Sequence, residues 1–404
     1  MQISTMRIID RYVGIPLCFL MDIVWSIGYL FQSHKKREPD LSRTLFIELS
    51  EMGSAVLADP TMRYLRDKKG SELFFVIFQS NAESLDILQT VMPENRFLIR
   101  TDNFWKLCID VIRFIVWCRR KKISAVIDLE LFSRFTALLT ALTGAYSRIG
   151  FHAHYDEGFY RGHFINYPVR YNAHVHISMN FMSLVLTAME YHNSPYPTTP
   201  VHNHDLTLAQ AHVNFKEEAA VKFVLDGLYS DWQLRKIVLF NINASDLLPQ
   251  RKWLTGHFLE VAVNLLNQND NLLILAIGSS HEKEEVEKFV ESVGDRRCLS
   301  VAGCFRLREL LALFRLSVCL LTNDSGPAQF ASAVSLKTFV VFGPETPDLY
   351  KPLGNQVETF YLALPCSPCV SAANHRKTDC KERPCIKGIL PETVGNKIKE
   401  FLQI

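Results

Sequence analysis

Net charge is almost missing from this chain: 44 Lys and Arg against 42 Asp and Glu leave +2 over 404 residues. That removes any global electrostatic case for a nucleic-acid partner, which needs a basic surface. Internal repeats and low-complexity tracts are missing too, which excludes a repeat architecture. With 48% hydrophobic and 21% charged residues, the composition is not that of a disordered chain. No secretory cleavage site is legible. Six of the ten cysteines (Cys18, Cys108, Cys118, Cys298, Cys304, Cys319) are scattered, mostly inside apolar runs, and read as buried reduced thiols of a reducing cytoplasm. A clean bilayer-spanning run is also absent. Val13 to Phe31 comes near it, with 19 residues interrupted by Asp22, which would cost roughly 2–3 kcal/mol at the centre of a spanning helix. Arg7 and Arg11 precede this stretch, and Lys35, Lys36 and Arg37 follow it. Trp25 and Tyr29 suit a membrane interface. Residues 1–42 are therefore expected to form a membrane-associating segment whose hydrophobic helix lies in or dips into the inner leaflet. The alternative is a helix packed on the protein itself.

Beyond this segment, apolar runs alternate with helix-compatible stretches. Strands are expected at 44–49, 72–78, 125–129, 236–241, 271–277, 317–322 and 338–342, with amphipathic helices between them. Such alternation indicates parallel sheets with helices on both faces. The run 195–200, rich in proline, reads as a linker together with His202 to Asp205. The expected fold is α/β with two Rossmann-like domains facing a cleft. The first covers 43–195, the linker 196–206 and the second 207–404.

Residues 321–354 say the most. An apolar run ends at Leu321 and stops at Asn323-Asp324-Ser325-Gly326. A helix-compatible stretch, Pro327 to Val334, follows, and a second apolar run stops at Gly343-Pro344. Such a turn offers backbone N–H groups and a hydroxyl at a helix N-terminus, where a phosphate is held. The same residues also read as a well-capped helix, since Asp and Ser are favoured caps. Continued through Phe342-Gly343-Pro344-Glu345-Thr346-Pro347-Asp348-Leu349-Tyr350-Lys351-Pro352-Leu353-Gly354, the segment resembles the donor-binding signature of the heptosyltransferase-like glycosyltransferases of family 9. Leu49-Ser50-Glu51-Met52-Gly53-Ser54 with Pro60, Val126 to Glu130 with Arg148-Ile149-Gly150-Phe151, and Asn241 to Ser245 with Arg251-Lys252-Trp253 are similar to further segments of that family.

The resemblance implies the GT-B arrangement, with the acceptor on the N-terminal domain and the donor on the C-terminal one. It implies transfer of a sugar, heptose included, from a nucleoside diphosphate to a lipopolysaccharide-type or other surface-glycan acceptor. That acceptor would be a glycolipid or oligosaccharide at the cytoplasmic face of the inner membrane of a bacterium. Transfer would invert the anomeric carbon and require no metal cofactor. Asp324, Ser325, Gly326, Ser245, Arg251 and Lys252 are the candidate donor-binding residues, since helix termini and basic side chains can hold phosphates. Glu282 is a candidate for ribose hydroxyls. The structural alternatives are surface charge for Arg251 and Lys252, and a first-turn helix acid for Glu282.

Two positions depart from the family pattern. Ser54 follows Gly53 where the family has an Asp thought to be the acceptor base, and Ser is no base at neutral pH unaided. Gln329 stands where the family has His. A neighbouring carboxylate is expected to serve instead, Glu51 first and Asp128 second, with Asp59 and Glu130 as further candidates; the next reading is an acceptor different from that of the heptosyltransferases. The competing class is a catalytically inactive nucleotide-sugar or glycan-binding protein. His152 and His154, with Asp156 and Glu157, read as a surface loop or as a metal or acid/base pair. Cys366, Cys369, Cys380 and Cys385 have the spacing of a structural zinc loop, the alternative being free thiols.

Overall fold

A computed structural model of the chain describes residues 9–10, 12–29, 38–151, 160–190, 196–245, 248–372, 374 and 376–404. It divides into two compact units, Met1–Leu85 with Gln89–Thr207, and Asp86–Leu88 with Leu208–Ile404. The pair His152 and His154, Asp156, Glu157, the basic flanks of the N-terminal stretch and the side chains of Trp25 and Tyr29 all lie outside the described residues.

The first unit is built on six strands: β1 (Arg43–Ile47), β2 (Glu72–Phe78), β3 (Arg96–Ile99), β4 (Ala125–Asp128), β5 (Ser147–Phe151) and β6 (Tyr167–Val169). Every pairing is parallel, in the order β3-β2-β1-β4-β5-β6. Sequence dictates the burial. A parallel strand covered on both faces needs a continuous apolar run rather than alternation. Leu-Phe-Ile in β1 and Phe-Phe-Val-Ile in β2 supply it, with Phe46, Phe74 and Phe75 fully buried. The second unit repeats the plan with β7 (Lys236–Asn241), β8 (Leu272–Ala276), β9 (Cys298–Ser300), β10 (Cys319–Asn323), β11 (Lys337–Val341) and β12 (Val357–Phe360). Its order is β12-β11-β10-β7-β8-β9, again all parallel. Its core runs from Val238 and Phe240 through Trp253 and Phe258 to Ile398 on the last helix, Pro391–Leu402.

Both sheets therefore begin in the middle. The chain winds outward from β1 to β3, then crosses back and places β4 on the other side of β1. β7 and β10 stand in the same relation. The points where strand order reverses, β1/β4 and β7/β10, leave a crevice at the strands' carboxyl ends, where ligands of such sheets bind.

The apolar N-terminal stretch forms a helix, Gly14–Tyr29, docked on the first unit. Cys18 packs on Ala137, Ala141 and Phe164. Gly14 permits the approach, since a Cβ there would lie 2.8 Å from the Cβ of Arg134. Asp22 does not face outward: it is 8% exposed, accepts from the backbone N–H of His163 at 2.5 Å, lies 2.8 Å from its Nδ1 and takes the hydroxyl of Tyr160. The expectation of a helix packed on the protein describes this inner face. Among the described residues no helix is long and apolar enough to cross a membrane. Just upstream, Asp10 accepts from the N–H groups of Arg134 and Phe135, at 2.9 and 2.8 Å, at the start of the helix Arg134–Leu142. Removing such a partner typically costs about 1 kcal/mol. Asp10→Ala should therefore lower the unfolding free energy of the intact chain, measured in urea, by that amount; an unchanged value would mean that the N-terminal segment does not rest on this helix in solution.

Candidate active site

Four carboxylates gather at the carboxyl ends of β1 and β4. β1 runs into Glu48, Leu49 and Ser50, and a helix, Met52–Leu57, begins with Glu51 at its cap. β4 ends at Asp128, and Glu130 follows. Glu130 ties the two loops together. Its Oε1 accepts from the backbone N–H groups of Leu49 and Ser50, at 3.0 Å each, and from the Ser50 hydroxyl at 2.9 Å. Burial pushes the Glu130 carboxyl up, the N–H of Leu49 opposes this, and the nearby charges of Asp128 and Glu51 raise it further. Glu48 is 3% exposed and its Oε1 accepts the Glu51 N–H at 3.3 Å.

Asp128 is not placed to act as a base. It is fully buried, as is Arg161, with which it forms an ion pair. It also accepts from the Thr136 hydroxyl at 2.9 Å and from the Glu130 N–H at 3.1 Å. Burial raises its pKa and the Arg161 charge pulls it back. A group with these partners and no exposed surface cannot meet an acceptor hydroxyl, so its role is to orient Glu130 and the β4 loop. Asp59 is likewise 1% exposed and is engaged by Arg63 at 2.9 Å. Glu51 differs: it is half-buried at the loop's edge, and its Oε2 accepts from the Ser54 hydroxyl at 3.2 Å. Gly53 and Ser54 lie inside the short helix that Glu51 opens, Ser54 buried within it. Nothing in the sequence marked Arg161 or Glu48. Arg161 lies far along the chain in an irregular segment, and only the fold brings it to β4.

The second unit has its polar assembly at β7 and β10. Asn241, the last residue of β7, donates to Thr322 Oγ1 at 2.9 Å and Ser325 Oγ at 3.0 Å. Asn323, the last of β10, accepts the Trp253 N–H at 2.7 Å and donates to the Asn243 carbonyl at 3.1 Å. Trp253, 1% exposed, is fixed at its indole N–H by the Ile389 carbonyl at 3.0 Å. These bonds hold the loop after β7 against the turn Asp324-Ser325. Across them, the Arg251 guanidinium lies 3.4 Å from the Asp324 carboxylate. Gly326 opens the helix Gly326–Ser332, with Ser325 at its cap, and Ser245 is exposed in the loop after β7.

The remaining candidates have local partners. Lys252 is occupied within the loop by Asn243 Oδ1 at 2.8 Å and by Glu285. Glu282 closes a capping box, accepting the Ser279 N–H at 2.6 Å and its hydroxyl at 2.7 Å, as the structural reading has it. Gln329 donates to the Tyr350 carbonyl at 2.9 Å and supports the turn of the signature segment. That segment is braced by Arg376, whose guanidinium lies over the Tyr350 ring at 4.6 Å and 3.4 Å from Glu345. Gly343 is needed there, since a Cβ would lie 2.4 Å from Ile386.

The zinc expectation is corrected. All four clustered cysteines are free thiols. Among the described residues no group of three or more His, Cys, Asp or Glu side chains is arranged to hold a metal. Cys369 donates instead toward Thr378 at 3.5 Å, Cys380 accepts the Arg383 N–H at 3.3 Å, and burial pushes the Cys385 thiol up.

Comparison with other proteins fits this layout. The family model of glycosyltransferase family 9 (heptosyltransferase) matches residues 113–378. The chain belongs to that family. It is 27% identical over 170 residues to lipooligosaccharide heptosyltransferase 2 of Campylobacter jejuni, covering 41% of this chain and 52% of that one. It is 26% identical over 115 residues to lipopolysaccharide heptosyltransferase 2 of Salmonella typhimurium, covering 28% and 33%. The chain thus spans about half the length, or less, of the curated relatives it matches. Its fold is that of the ADP-heptose lipopolysaccharide heptosyltransferase II of E. coli, with a TM-score of 0.65 and 18% identity over 89% of this chain and 98% of that one. A family 9 glycosyltransferase from Veillonella parvula has a TM-score of 0.67 at 17% identity, over 91% and 99%.

Glu130 gives a test of the first unit's site. Its raised pKa means that, above the ordinary carboxylate range, the unfolded chain has lost the proton while the folded chain still holds it. Stability therefore falls as pH rises toward the raised value. Glu130→Gln keeps the Oε1 acceptor and removes this dependence. Its midpoint in urea should match wild type near pH 4 and exceed it increasingly toward pH 7. Glu130→Ala leaves three donors without the carboxylate and should cost about 1–3 kcal/mol. A Gln variant that loses as much as the Ala variant would show that the carboxylate charge, not its acceptor oxygen, holds the loop.

Proposed function

We propose that this chain is a metal-independent, inverting glycosyltransferase that moves a heptose from ADP-heptose to a lipopolysaccharide-type acceptor. The second unit takes the donor and the first the acceptor. The observation that carries the reading is the signature turn Asp324-Ser325-Gly326, seated at the strand-order reversal of the second sheet with Arg251 at 3.4 Å. The E. coli relative named for ADP-heptose shares the fold, and a further E. coli heptosyltransferase of the same fold, with a TM-score of 0.62, is described with ADP.

In this reading Arg251 and the N–H groups opening the helix at Gly326 face the diphosphate, with the exposed Ser245 hydroxyl as a further donor. A guanidinium is a good fork for phosphate oxygens. Asp324 holds Arg251 in place rather than touching the anion. Lys252 adds positive potential from behind, and Glu282 fixes the loop beside the nucleoside. On the first unit, Glu51 takes the proton from the acceptor hydroxyl. The freed oxygen attacks the anomeric carbon opposite the diphosphate. The bond to the phosphate oxygen breaks, and ADP leaves with the electron pair. Charge developing on the diphosphate is met by groups already in position. The binding-protein alternative is favoured by no observation here, since Glu51 supplies a half-buried carboxylate beside the departed Asp position.

Two outcomes are expected. Asp324→Ala should weaken ADP binding, seen as a smaller thermal shift at fixed ADP, while Asp348→Ala, whose carboxylate serves the Thr346 turn, should leave it nearly intact. Glu51→Gln should lower turnover with ADP-heptose by ~10²–10⁴, the usual worth of a positioned base, with ADP affinity unchanged. Full turnover in Glu51→Gln would remove Glu51 from the mechanism. Equal ADP affinity in Asp324→Ala and wild type would remove the signature turn from the donor site.

A further inference from the structure

Two helices of the first unit expose an apolar stripe and share one side of its sheet. The connection from β3 to β4 and the connection from β4 to β5 travel in the same direction across the sheet. Right-handed crossovers then put both helices, Phe104–Arg120 and Arg134–Leu142, on the same face. Packing agrees: Phe114 and Cys118 of the first share a core cluster with Leu139 of the second, and Arg119 lies against Gly144. The N-terminal helix Gly14–Tyr29 docks on the far side of Arg134–Leu142 through Cys18. The layer is thus three helices wide, with the middle one recessed: none of its residues is exposed.

The two outer helices show solvent a chemistry that soluble surfaces avoid. On Phe104–Arg120 the exposed residues are Phe104, Trp105, Ile109, Ile112 and Val116, together with Lys106, Arg113, Arg119 and Arg120. Trp105 is 73% and Ile112 64% exposed. The helix's one acid, Asp110, is buried and bound by Arg100 at 2.7 Å. On Gly14–Tyr29, Phe19, Leu20, Ile23, Val24 and Ile27 are all exposed, and the one charge, Asp22, faces the protein. A groove of about 480 Å³ lined by Phe19, Ile23, Ile27 and Tyr160 opens along this stripe.

We propose that this three-helix face is a monotopic docking surface for an anionic lipid bilayer, with both outer helices lying in the headgroup region. Apolar side chains interleaved with Lys and Arg are what such a surface requires. The two helices' own carboxylates, Asp22 and Asp110, are turned inward. The exposed Asp102 before the second helix pairs with Lys106 at 3.1 Å and leaves Arg113, Arg119 and Arg120 as the basic side chains for the lipid. A second copy of this chain would gain nothing from Arg113, Arg119 and Arg120 meeting their own likeness, whereas anionic lipid is complementary to them. The sequence pointed to the N-terminal stretch alone; the fold adds Phe104–Arg120. This surface is independent of the donor chemistry proposed above.

The test is sedimentation of the full chain with vesicles of phosphatidylcholine alone and of phosphatidylcholine with one-third phosphatidylglycerol, in low and high salt. Wild type should sediment with the anionic vesicles and be largely released by high salt. Ile112→Glu with Val116→Glu, both exposed and on a helix that carries no candidate site residue, should reduce the bound fraction at least ~10-fold while the ADP-induced thermal shift stays at its wild-type value. Undiminished binding by this variant would overturn the role of Phe104–Arg120. So would a wild type that ignores both kinds of vesicle, or one that forms a dimer in solution which the variant abolishes. Loss of the ADP shift with lipid binding intact would instead count against the donor site and leave the lipid surface standing.

Discussion

Both halves of this molecule depend on one geometric constraint. A parallel strand can be joined to its neighbour only by a crossover, and crossovers in such sheets are right-handed. A sheet that starts at its centre must therefore reverse its winding once, and at that point the loops leaving the first and fourth strands diverge. The backbone groups they expose are satisfied by side chains rather than by a ladder. In the first unit Glu130 meets the N–H groups of Leu49 and Ser50. In the second, Asn241 and Asn323 fasten Ser325 and Trp253. The residues that could handle substrate are neighbours of these fasteners: Glu51 lies one residue past Ser50, and Arg251 two before Trp253.

The two switch points differ in charge, and the difference suits the two roles. The first gathers Glu48, Glu51, Asp128 and Glu130, with Arg161 sealed beneath them. Of these, Glu130 is pushed up by burial and, further, by the charges of Asp128 and Glu51. The second presents Arg251, Lys252 and the opening of a helix. Asp324, its one carboxylate at the turn, is turned to Arg251. Such a site favours an anion.

How much of this was legible depended on the length of the signal. β1, β2, β7, β8, β10 and β11 carry unbroken apolar runs and were read to within a few residues. The edge strands β3, β6, β9 and β12 are only three or four residues long. β6 contains Pro168, and β12 reads Val-Glu-Thr-Phe, so neither gives a periodic signal. Site residues inside the signature segments were found because they sit next to strand ends in sequence. Asp128 was found too, but its buried partner Arg161 was not, and without that partner it read as a base. Glu282 is the opposite case. A carboxylate three residues after Ser279 already has a capping partner in the chain, and the structure shows that local hydrogen bonding. The zinc spacing finds no support among the described residues, since spacing alone does not bring the four thiols together.

The two departures from the family pattern have different weights. Gln329 occupies a buried site where its amide donates to the Tyr350 carbonyl. An amide there supports the turn of the signature segment. Ser54 is another matter. An Asp at this position would stand one helical turn from Glu51, within the reach of its side chain, and two carboxylates so close could not both remain ionised at little cost. Ser54 instead donates its hydroxyl to Glu51 Oε2. That hydrogen bond orients the Glu51 carboxylate. On the proposed role of Glu51, loss of the Asp and presence of Glu51 are one exchange: the carboxylate has moved from the third residue of the helix's first turn to its cap, and the position it left now supplies the donor that holds it.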